Sequence, residues 1–284
     1  MLTFVESISL AGDRTKQNDD ACGSTRKWGW VIDGATDLHE PSFSGYGSDA
    51  AWLATYLNER LAGSAMAHDI FGANTDDLRD ELRHASESLR EEWAFDGALD
   101  IPKWQFPIAS VLLVSESEGA LEIVDLGDCR CFALDADGLV HVVGGPDGAA
   151  DAEAQLAAQQ IDAHKPLLRR EATVARLREM RGTLNQDGAE WTFCLDPACA
   201  DHVRMRRIEP KAPAHVLLMT DGFAALVDRY RAYDAAGLVR TALDKGLQEL
   251  GRELRAIEAA DAGGAKHPRF KVSDDATALL LRLS

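Results

Sequence analysis

Aspartates stand at the ends of predicted β-strands at four separate places in this 284-residue chain. An apolar run bounded by turn residues is typical of a buried strand, and an acid at its end lies where the sheet meets solvent. The runs and their acids are 28–32 with Asp33, 121–126 with Asp128, 215–219 with Asp221, and 278–281 preceded by Asp274. Because carboxylates that meet at one sheet edge repel one another, the pattern predicts divalent cations between them. Oxygen ligands favour hard cations such as Mg²⁺ or Mn²⁺.

Two of these acids belong to Asp-Gly pairs, Asp33-Gly34 and Asp221-Gly222, and Asp-Gly is also a common turn dipeptide. A single Asp-Gly after a strand indicates a loop. Here both pairs follow strand-like runs, and two further acidic strand ends accompany them. We therefore interpret the set as a metal site, although no single member of it would support that interpretation.

Composition argues against several other classes of protein. The formal net charge of −17 would repel nucleic acid and anionic membranes, so neither is expected as a partner. The five cysteines are odd in number and form no CxxC pair, which argues against a disulfide framework and against a zinc site. No run is long enough to span a membrane, and the first residues lack the pattern of a signal peptide, so we expect a cytoplasmic protein.

The order of the predicted elements indicates an α+β protein. Apolar residues recur at helical spacing over 49–61 and 75–95, and a last long helix is predicted over 233–258. The other apolar runs, including 191–195, are predicted to be strands in antiparallel succession. We predict one domain over residues 1–284, with two antiparallel sheets packed as a sandwich and helices outside both. A helix-forming, charged segment at about 144–185 is expected to be a mobile surface insertion.

Five short blocks of the sequence, taken in order, resemble the signature blocks of the metal-dependent protein phosphatases, the protein phosphatase 2C family. The family's N-E-D, V-x-D-G, G-D-S-R, S-D-G and D-N-x-T patterns correspond to Asn18-Asp19-Asp20, Val31-Ile32-Asp33-Gly34, Gly127-Asp128-Cys129-Arg130, Thr220-Asp221-Gly222 and Asp274-Asp275-Ala276-Thr277. Each block alone is a weak signal, but five in the family's order span nearly the whole chain. The resemblance implies a β-sandwich flanked by helices, in agreement with the predicted order of elements.

The resemblance also implies a centre of two Mn²⁺ or Mg²⁺ ions. By position, Asp33 would bridge the two ions and Gly34 would contribute its backbone carbonyl. Asp221 and Asp274 would hold the first ion, and Asp20 would help to bind the second through water.

Two more features follow from the resemblance. Asp128 matches the position that, together with the equivalent of Asp221, holds a third ion in bacterial relatives. The 144–185 segment falls where the family carries a variable flap beside the active site.

Departures from the family pattern leave the proton donor and the phosphate contact open. The histidine of the family's D-G-H-G-G block is absent from the segment 33–37. His39 is close in sequence, but a loop histidine is more often solvent-facing, so water is the expected proton donor. The family's phosphate-contacting arginine is displaced by one position. Either Arg14 reaches the phosphate, which we favour, or Lys16 replaces it as a point charge.

Other residues keep two interpretations. Either Asp19 or Asp20 is the metal-side carboxylate, and Asp20 aligns better with the following strand. Arg181 and Asn185 present their side chains to substrate, or they are a solvated helix end and a turn residue. Asp125 and Asp275 are interpreted as supporting or turn residues.

The implied activity is hydrolysis of phosphoserine and phosphothreonine in a phosphorylated protein, with a metal-activated hydroxide as the nucleophile. Asp33, Asp221 and Arg14 are the predicted catalytic residues. One alternative is a regulatory or binding module that keeps the fold without turnover, and the missing histidine motivates it. A second alternative is a two-metal phosphodiesterase or nuclease, which the net charge of −17 disfavours.

Overall fold

The computed structural model describes residues 1–67, 73–95, 100–145, 148, 154–155, 157–158 and 171–284. Within these ranges the chain forms two five-stranded sheets in which all neighbouring strands are antiparallel. The first sheet consists, in spatial order, of β1 (Leu2–Leu10), β10 (Ala276–Leu283), β9 (Ala214–Met219), β6 (Arg130–Leu134) and β7 (Val140–Val143). The second consists of β2 (Asp20–Ser24), β3 (Trp28–Gly34), β4 (Ala109–Ser117), β5 (Ala120–Leu126) and β8 (Arg204–Ile208).

Helices cover the outer face of each sheet, so the predicted α+β sandwich is confirmed. The second sheet packs against α1 (Asp49–Ala67) and α2 (Thr75–Phe95). The first sheet packs against α4 (Asp221–Asp228), α5 (Ala235–Lys245) and α6 (Leu247–Ala260). A further helix, α3 (Glu171–Thr183), contacts the short 3₁₀ turn Lys103–Gln105. None of the helices in the described residues is long and apolar enough to cross a bilayer.

Three apolar layers hold this arrangement together. The middle layer lies between the two sheets and includes Val31, Leu112 and Leu218, all fully buried. The outer layers lie between each sheet and its helices; Trp28 and Trp30, for example, pack in the layer with α1 and α2. Successive residues of β3 therefore face opposite layers, and both layers are apolar. This is why the run 28–32 is continuously apolar instead of alternating.

The predicted helix over 233–258 is wrong, because the structure has two helices there. Gly246 separates them in the left-handed region, with φ of 82°. Its amide donates to the Ala242 carbonyl at 3.0 Å, which ends α5. The carboxylate of Glu6 accepts from the Leu247 amide at 2.9 Å, which satisfies a free donor at the start of α6.

Two other predictions need comment. The predicted strand 191–195 is wrong: within it only Phe193 forms a bridge, to Ala109. Of the predicted insertion at 144–185, residues 146–147, 149–153, 156 and 159–170 lie outside the described residues. The described part of that segment contains α3.

The antiparallel registers bring the predicted acids to one edge of the sandwich. Asp20 at the start of β2 lies directly opposite Asp33 at the end of β3. In the first sheet, Met219 at the end of β9 pairs with Ala278 near the start of β10, so Asp221 and Asp274 flank neighbouring strand ends. The Thr220 hydroxyl donates to the Asp20 carboxylate at 2.8 Å and so joins the two edges.

The middle layer supplies a direct test of the packing. Leu218 is fully buried between the sheets, whereas the side chain of Leu139 is largely exposed in the β6–β7 turn. We expect Leu218→Ala to lower the free energy of unfolding by about 2–5 kcal/mol through lost burial and a residual cavity. Leu139→Ala, the matched control, should change it by less than about 0.5 kcal/mol. Urea unfolding measures both values, and equal costs would contradict the layered core.

Candidate metal centre

Asp33 is the central acid of the site. Burial raises its pKa well above the ordinary value, and Asp20, Asp221, Asp128 and Asp274 raise it further, in that order. Poor solvation and nearby negative charge both disfavour the ionised form of a carboxylate. The geometry agrees, because the Asp221 amide donates to Oδ2 of Asp33 at 3.4 Å and Asp20 lies opposite Asp33 in the β2–β3 register.

Asp20 faces this cluster from β2. One of its oxygens, Oδ2, accepts the Thr220 hydroxyl, while Oδ1 is buried and has no hydrogen-bond partner. Burial raises the pKa of Asp20 well above its usual range, and Asp275 and Asp274 add to the rise. A buried carboxylate oxygen without a donor is costly, and a cation is the ligand that would satisfy it.

Thr220 holds the strand ends in register. It is fully buried, its amide donates to the Thr277 carbonyl at 3.0 Å, and its hydroxyl accepts from the Thr277 amide at 2.9 Å. The Thr277 hydroxyl is 2.8 Å from that of Ser9 on β1. These contacts fix the end of β9 and the start of β10, which place Asp221 and Asp274.

Gly34 and Gly222 are required by close contact with other backbone segments. A Cβ atom on Gly34 would lie 2.5 Å from the Asp19 carbonyl oxygen and 2.9 Å from that of Ala50. A Cβ atom on Gly222 would lie 1.9 Å from the Asp275 carbonyl oxygen. The glycine of each Asp-Gly pair thus lets another chain segment approach its aspartate, a role different from that of a simple turn residue.

Asp275 fastens the loop that precedes β2. Its two carboxylate oxygens accept from the amides of Gly12 and Asp19, each at 2.7 Å. These two hydrogen bonds are the contacts through which Asp275 would support the site, as predicted. Because Asp275 holds this loop, the closing acidic block of the chain fixes the positions of Asp19 and Asp20.

Asp19 and Asp20 point to different partners. Asp19 accepts the Ser48 hydroxyl at 2.7 Å, next to the start of α1. The pKa of Asp19 is raised to about 6. Burial is the largest cause, the Ser48 hydrogen bond opposes it, and Asp275 adds to it. Asp20, in contrast, lies opposite Asp33. This geometry favours Asp20 as the metal-side carboxylate, which stays a prediction.

Asp128 follows β5 and is held by its neighbours in the turn. The Ser110 hydroxyl donates to its Oδ1 atom at 2.7 Å. Gly127 beside it has a φ of 82°, and a Cβ atom there would lie 2.2 Å from the Ser110 hydroxyl oxygen. Nearby, Arg204 donates to Asp125 and to the Gly127 carbonyl, so Asp125 supports this turn through the arginine.

The acids open into a cavity of about 1350 Å³. Four predicted metal-binding aspartates line it: Asp33, Asp128, Asp221 and Asp274. Seven cationic side chains among the described residues also line it: Arg130, Arg181, Arg204, Arg229, Arg231, Arg269 and Lys271. Four more acids line it as well: Asp187, Glu190, Asp228 and Glu258. An anionic ligand would therefore meet individual cations in a lining that carries no excess of positive charge among the described residues.

Helix α3 forms one wall of the cavity and is attached through two arginines. Arg178 donates twice to the Leu38 carbonyl, at 2.9 and 2.6 Å, and its guanidinium lies 4.4 Å from the ring centre of Trp104. Arg181 donates to the Thr36 carbonyl at 2.9 Å. Burial lowers the pKa of Arg181 to about 10, against the opposing effect of Asp37. Arg181 is thus a half-buried cation held beside the loop that follows Asp33, and not a solvated helix end.

The structure favours the interpretation of Asn185 as a turn residue. It has a φ of 54°, its side-chain carbonyl accepts from the Thr192 amide at 2.7 Å, and its side-chain amide donates to the Thr192 hydroxyl at 3.1 Å. Both ends of the side chain are occupied by the loop that it closes.

The expectation that His39 faces solvent is wrong. Its side chain is 6% exposed, and Nε2 lies 3.0 Å from a carboxylate oxygen of Asp49. Asp49 also accepts from the amides of Phe43 and Ser44, so it ties this loop to the start of α1. His39 is absent from the cavity lining, which contains no histidine among the described residues.

Arg14 and Lys16 are both exposed and do not belong to the described lining of the cavity. Their role in phosphate binding stays a prediction. Sequence reasoning missed Lys271, which lines the cavity three residues before Asp274. A lysine three residues before Asp274 was the signal in the sequence that could have indicated it.

The donor set fits a hard divalent cation. It consists of carboxylate oxygens that repel one another, one of which, Asp20 Oδ1, lacks any partner. As they stand, however, no three acidic, histidine or cysteine side chains in the described ranges are close enough together to hold an ion. In this arrangement an ion would be held by one or two side chains, with backbone oxygen and water completing its shell.

Comparison with known proteins assigns the family. A sequence profile described as Protein phosphatase 2C matches residues 13–255. The chain belongs to the protein phosphatase 2C family. No curated protein sequence matches it.

Solved structures share the fold. The serine/threonine phosphatase PstP/Ppp of Mycobacterium tuberculosis has a TM-score of 0.60 and 14% identity, over 100% of this chain and 99% of that chain. The catalytic domain of PstP in complex with two manganese ions has a TM-score of 0.59 and 16% identity, over 99% and 97% of the two chains. The phosphatase MsPP of Mycobacterium smegmatis, in complex with cacodylate, has a TM-score of 0.56 and 18% identity, over 98% and 97%.

The close approach at Gly34 gives a testable cost. We expect Gly34→Ala to lower the free energy of unfolding by about 1–3 kcal/mol, because the added methyl group would collide with two backbone carbonyls. Gly63 is the matched control, since it lies exposed in α1 and a Cβ atom added there would have no other atom within 4 Å. Gly63→Ala should stabilise by up to about 1 kcal/mol through helix propensity. Chemical denaturation would contradict the account if both substitutions were stabilising.

Proposed function

We propose that this protein is a metal-dependent serine/threonine phosphoprotein phosphatase that hydrolyses phosphomonoesters with water. The observation that carries the proposal is the position of Asp33. It lies among four other aspartates at the edge of the sandwich and lines the cavity of about 1350 Å³. Membership of the protein phosphatase 2C family supports the same reaction class.

The proposed ligands follow from their positions. Asp33 and the Gly34 carbonyl would lie between two ions, Asp221 and Asp274 would hold the first, and Asp20 would help to hold the second. Asp128 would share a third with Asp221. Mn²⁺ or Mg²⁺ is the expected metal, because every proposed donor is an oxygen. Two bound cations of this kind lower the pKa of a water between them and neutralise charge on a phosphoryl group.

The chain's own residues make a covalent cysteine mechanism unfavourable. Cys129 is the cysteine next to Asp128, and it is fully buried. Burial raises the pKa of its thiol well above the ordinary value, and Asp33 and Asp128 raise it further. A thiol kept protonated in this way is a poor nucleophile, so water is the proposed attacking group.

Proton supply to the leaving alkoxide is assigned to solvent. The described residues that line the cavity include no histidine, and His39 is held by Asp49 in a buried pair. Water in the broad cavity can reach the leaving oxygen. This assignment agrees with the absence of the family histidine from the segment 33–37.

Two cations are candidates for the phosphate contact. The sequence favours Arg14, which is exposed and away from the cavity lining. Arg181 is the second candidate, because it lines the cavity and is fixed beside Thr36, three residues after Asp33. A guanidinium can bind phosphate through two parallel hydrogen bonds. We favour Arg181 over Arg14 for this role, because Arg181 already lies at the cavity.

The cavity also supports a protein substrate. A volume of about 1350 Å³ exceeds the range usual for small-molecule pockets, and acidic and basic side chains are both present on its walls. A phosphorylated peptide segment is the proposed occupant, with its phosphate at the aspartate end of the cavity.

A regulatory module without turnover is the second candidate function. The observation that favours it is the absence of three converging ligands in the described residues. Isothermal titration calorimetry separates the two candidates, since a module of this kind would bind no divalent ion tightly and would gain no thermal stability from Mn²⁺.

Asp33 provides the main test of the proposed reaction. We expect Asp33→Asn to reduce Mn²⁺-dependent hydrolysis of p-nitrophenyl phosphate and of a phosphothreonine peptide by at least about a hundredfold, because metal ions contribute several kcal/mol to such reactions. Asp137→Asn is the control, since Asp137 is exposed and pairs with Lys211 outside the cavity. Undiminished activity of Asp33→Asn, or no turnover by the unaltered protein in any Mg²⁺ or Mn²⁺ concentration, would reject the proposal.

The phosphate contact has its own test. We expect Arg181→Ala to raise KM for the phosphopeptide by about tenfold, the size of a lost hydrogen bond to a charged group. Arg14→Ala should change KM by less than about twofold. Arg178→Ala controls for loosening of α3, because it removes the neighbouring anchor on Leu38 without altering the cavity lining. A larger effect from Arg14→Ala than from Arg181→Ala would return the role to Arg14.

A further inference from the structure

Lys271 places a positive charge at the acidic end of the cavity. Its ammonium forms an ion pair with Oδ1 of Asp274. Lys271 also lines the cavity together with Asp33 and Asp221. These three aspartates are the proposed contacts of the first ion, so the lysine approaches the place where that ion would bind.

The electrostatic environment of Lys271 agrees with this position. Burial lowers the pKa of its ammonium, but Asp274, Asp33 and Asp221 together raise it above the ordinary value. Lys271 also lowers the pKa of Asp19. The ammonium therefore interacts with acids from the loop before β2, from β3, from α4 and from the start of β10.

The backbone on both sides of Lys271 is held by two arginines. Arg269 is 6% exposed and donates to the carbonyls of Val272, His267 and Glu258 at 3.0, 2.9 and 3.1 Å. Arg255 on α6 donates to the Asp274 carbonyl at 2.9 Å. Because the backbone is held on both sides, the position of Lys271 is fixed, and the fold itself places its ammonium against Asp274.

We propose that Lys271 is an internal competitor of the divalent cation at Asp274. This inference rests on the proposed metal-dependent function. In the metal-free protein the ammonium neutralises Asp274 and reduces repulsion among the acids. An ion that binds Oδ1 of Asp274 must displace the ammonium, and an ion that binds Oδ2 must approach it closely, because both cations would contact the same carboxylate.

The balance of charge determines the consequence. One ammonium faces several carboxylates, so it relieves their repulsion only in part and a dication can displace it. The lysine thus stabilises the metal-free fold and weakens the affinity for metal. It raises the concentration of divalent cation at which the enzyme becomes loaded.

Calorimetric titration with MnCl₂ tests the inference on the full chain. We expect Lys271→Met to tighten the first Mn²⁺ dissociation constant about five- to tenfold, the size of a partly exposed ion pair that no longer has to be broken. The metal-free variant should also melt at a lower temperature than the unaltered protein and gain more from saturating Mn²⁺. Lys271→Arg, which keeps the charge, should bind Mn²⁺ within about twofold of the unaltered protein.

Lys266→Met is the matched control, since Lys266 lies exposed in the same loop and outside the cavity lining. It should leave both Mn²⁺ affinity and melting temperature unchanged. Equal or weaker Mn²⁺ binding by Lys271→Met would overturn the inference, and so would the absence of Mn²⁺ binding by both proteins.

The outcome is separable from that of the proposed function. If Lys271→Met binds Mn²⁺ more tightly but neither protein hydrolyses a phosphomonoester, the inference stands and the phosphatase proposal fails. If the unaltered protein shows Mn²⁺-dependent hydrolysis and Lys271→Met binds Mn²⁺ no more tightly, the phosphatase proposal stands and the inference fails.

Discussion

Mutual repulsion among aspartates that are wholly or partly buried governs the rest of this site. Asp33 lies near Asp20, Asp221, Asp128 and Asp274, and burial together with these neighbours makes its negative charge costly. Hydroxyl groups relieve part of this cost: Thr220 donates to Asp20, and Ser110 donates to Asp128. Lys271 relieves another part. The remaining excess of negative charge is what would attract divalent cations.

The sandwich offsets the energetic cost of concentrating charge in this way. Three apolar layers fix both sheets and their helices, and the strand registers then place Asp20 opposite Asp33 and the end of β9 beside the start of β10. Gly34 and Gly222 let backbone segments approach within a distance that any side chain would prevent. The acids are thus held near one another by packing that is remote from them.

Sequence reasoning succeeded where side-chain position follows from strand order. Asp221 after β9 and Asp274 before β10 share one edge because the end of a strand lies beside the start of its antiparallel neighbour. The order of the family blocks then grouped Asp33 with them. Sequence reasoning failed where tertiary contacts decide. The break at Gly246 had a local signal, the glycine whose φ of 82° ends α5, but the apolar spacing over 233–258 masked it. The contact of Glu6 with the Leu247 amide at the start of α6 is the part that no local pattern indicates. Likewise, the burial of His39 depends on Asp49.

The same limit applies to two cations at the cavity. The sequence left two interpretations open for Arg181, and its donation to the Thr36 carbonyl, far away in sequence, favours the one that places it near the site. Lys271 was missed although its position just before the closing acidic block was a local signal. The contacts of Arg269 and Arg255 that hold its loop are not visible in a local pattern.

Whether the clustered aspartates form a metal centre can be seen in a crystal of the protein grown with Mn²⁺. Anomalous scattering at the manganese edge locates the ions independently of any assumed ligand. The account predicts at least two anomalous peaks between the carboxylates of Asp33, Asp221 and Asp274, with Lys271 turned away from Asp274. A map without a peak among these side chains at saturating Mn²⁺ would contradict it.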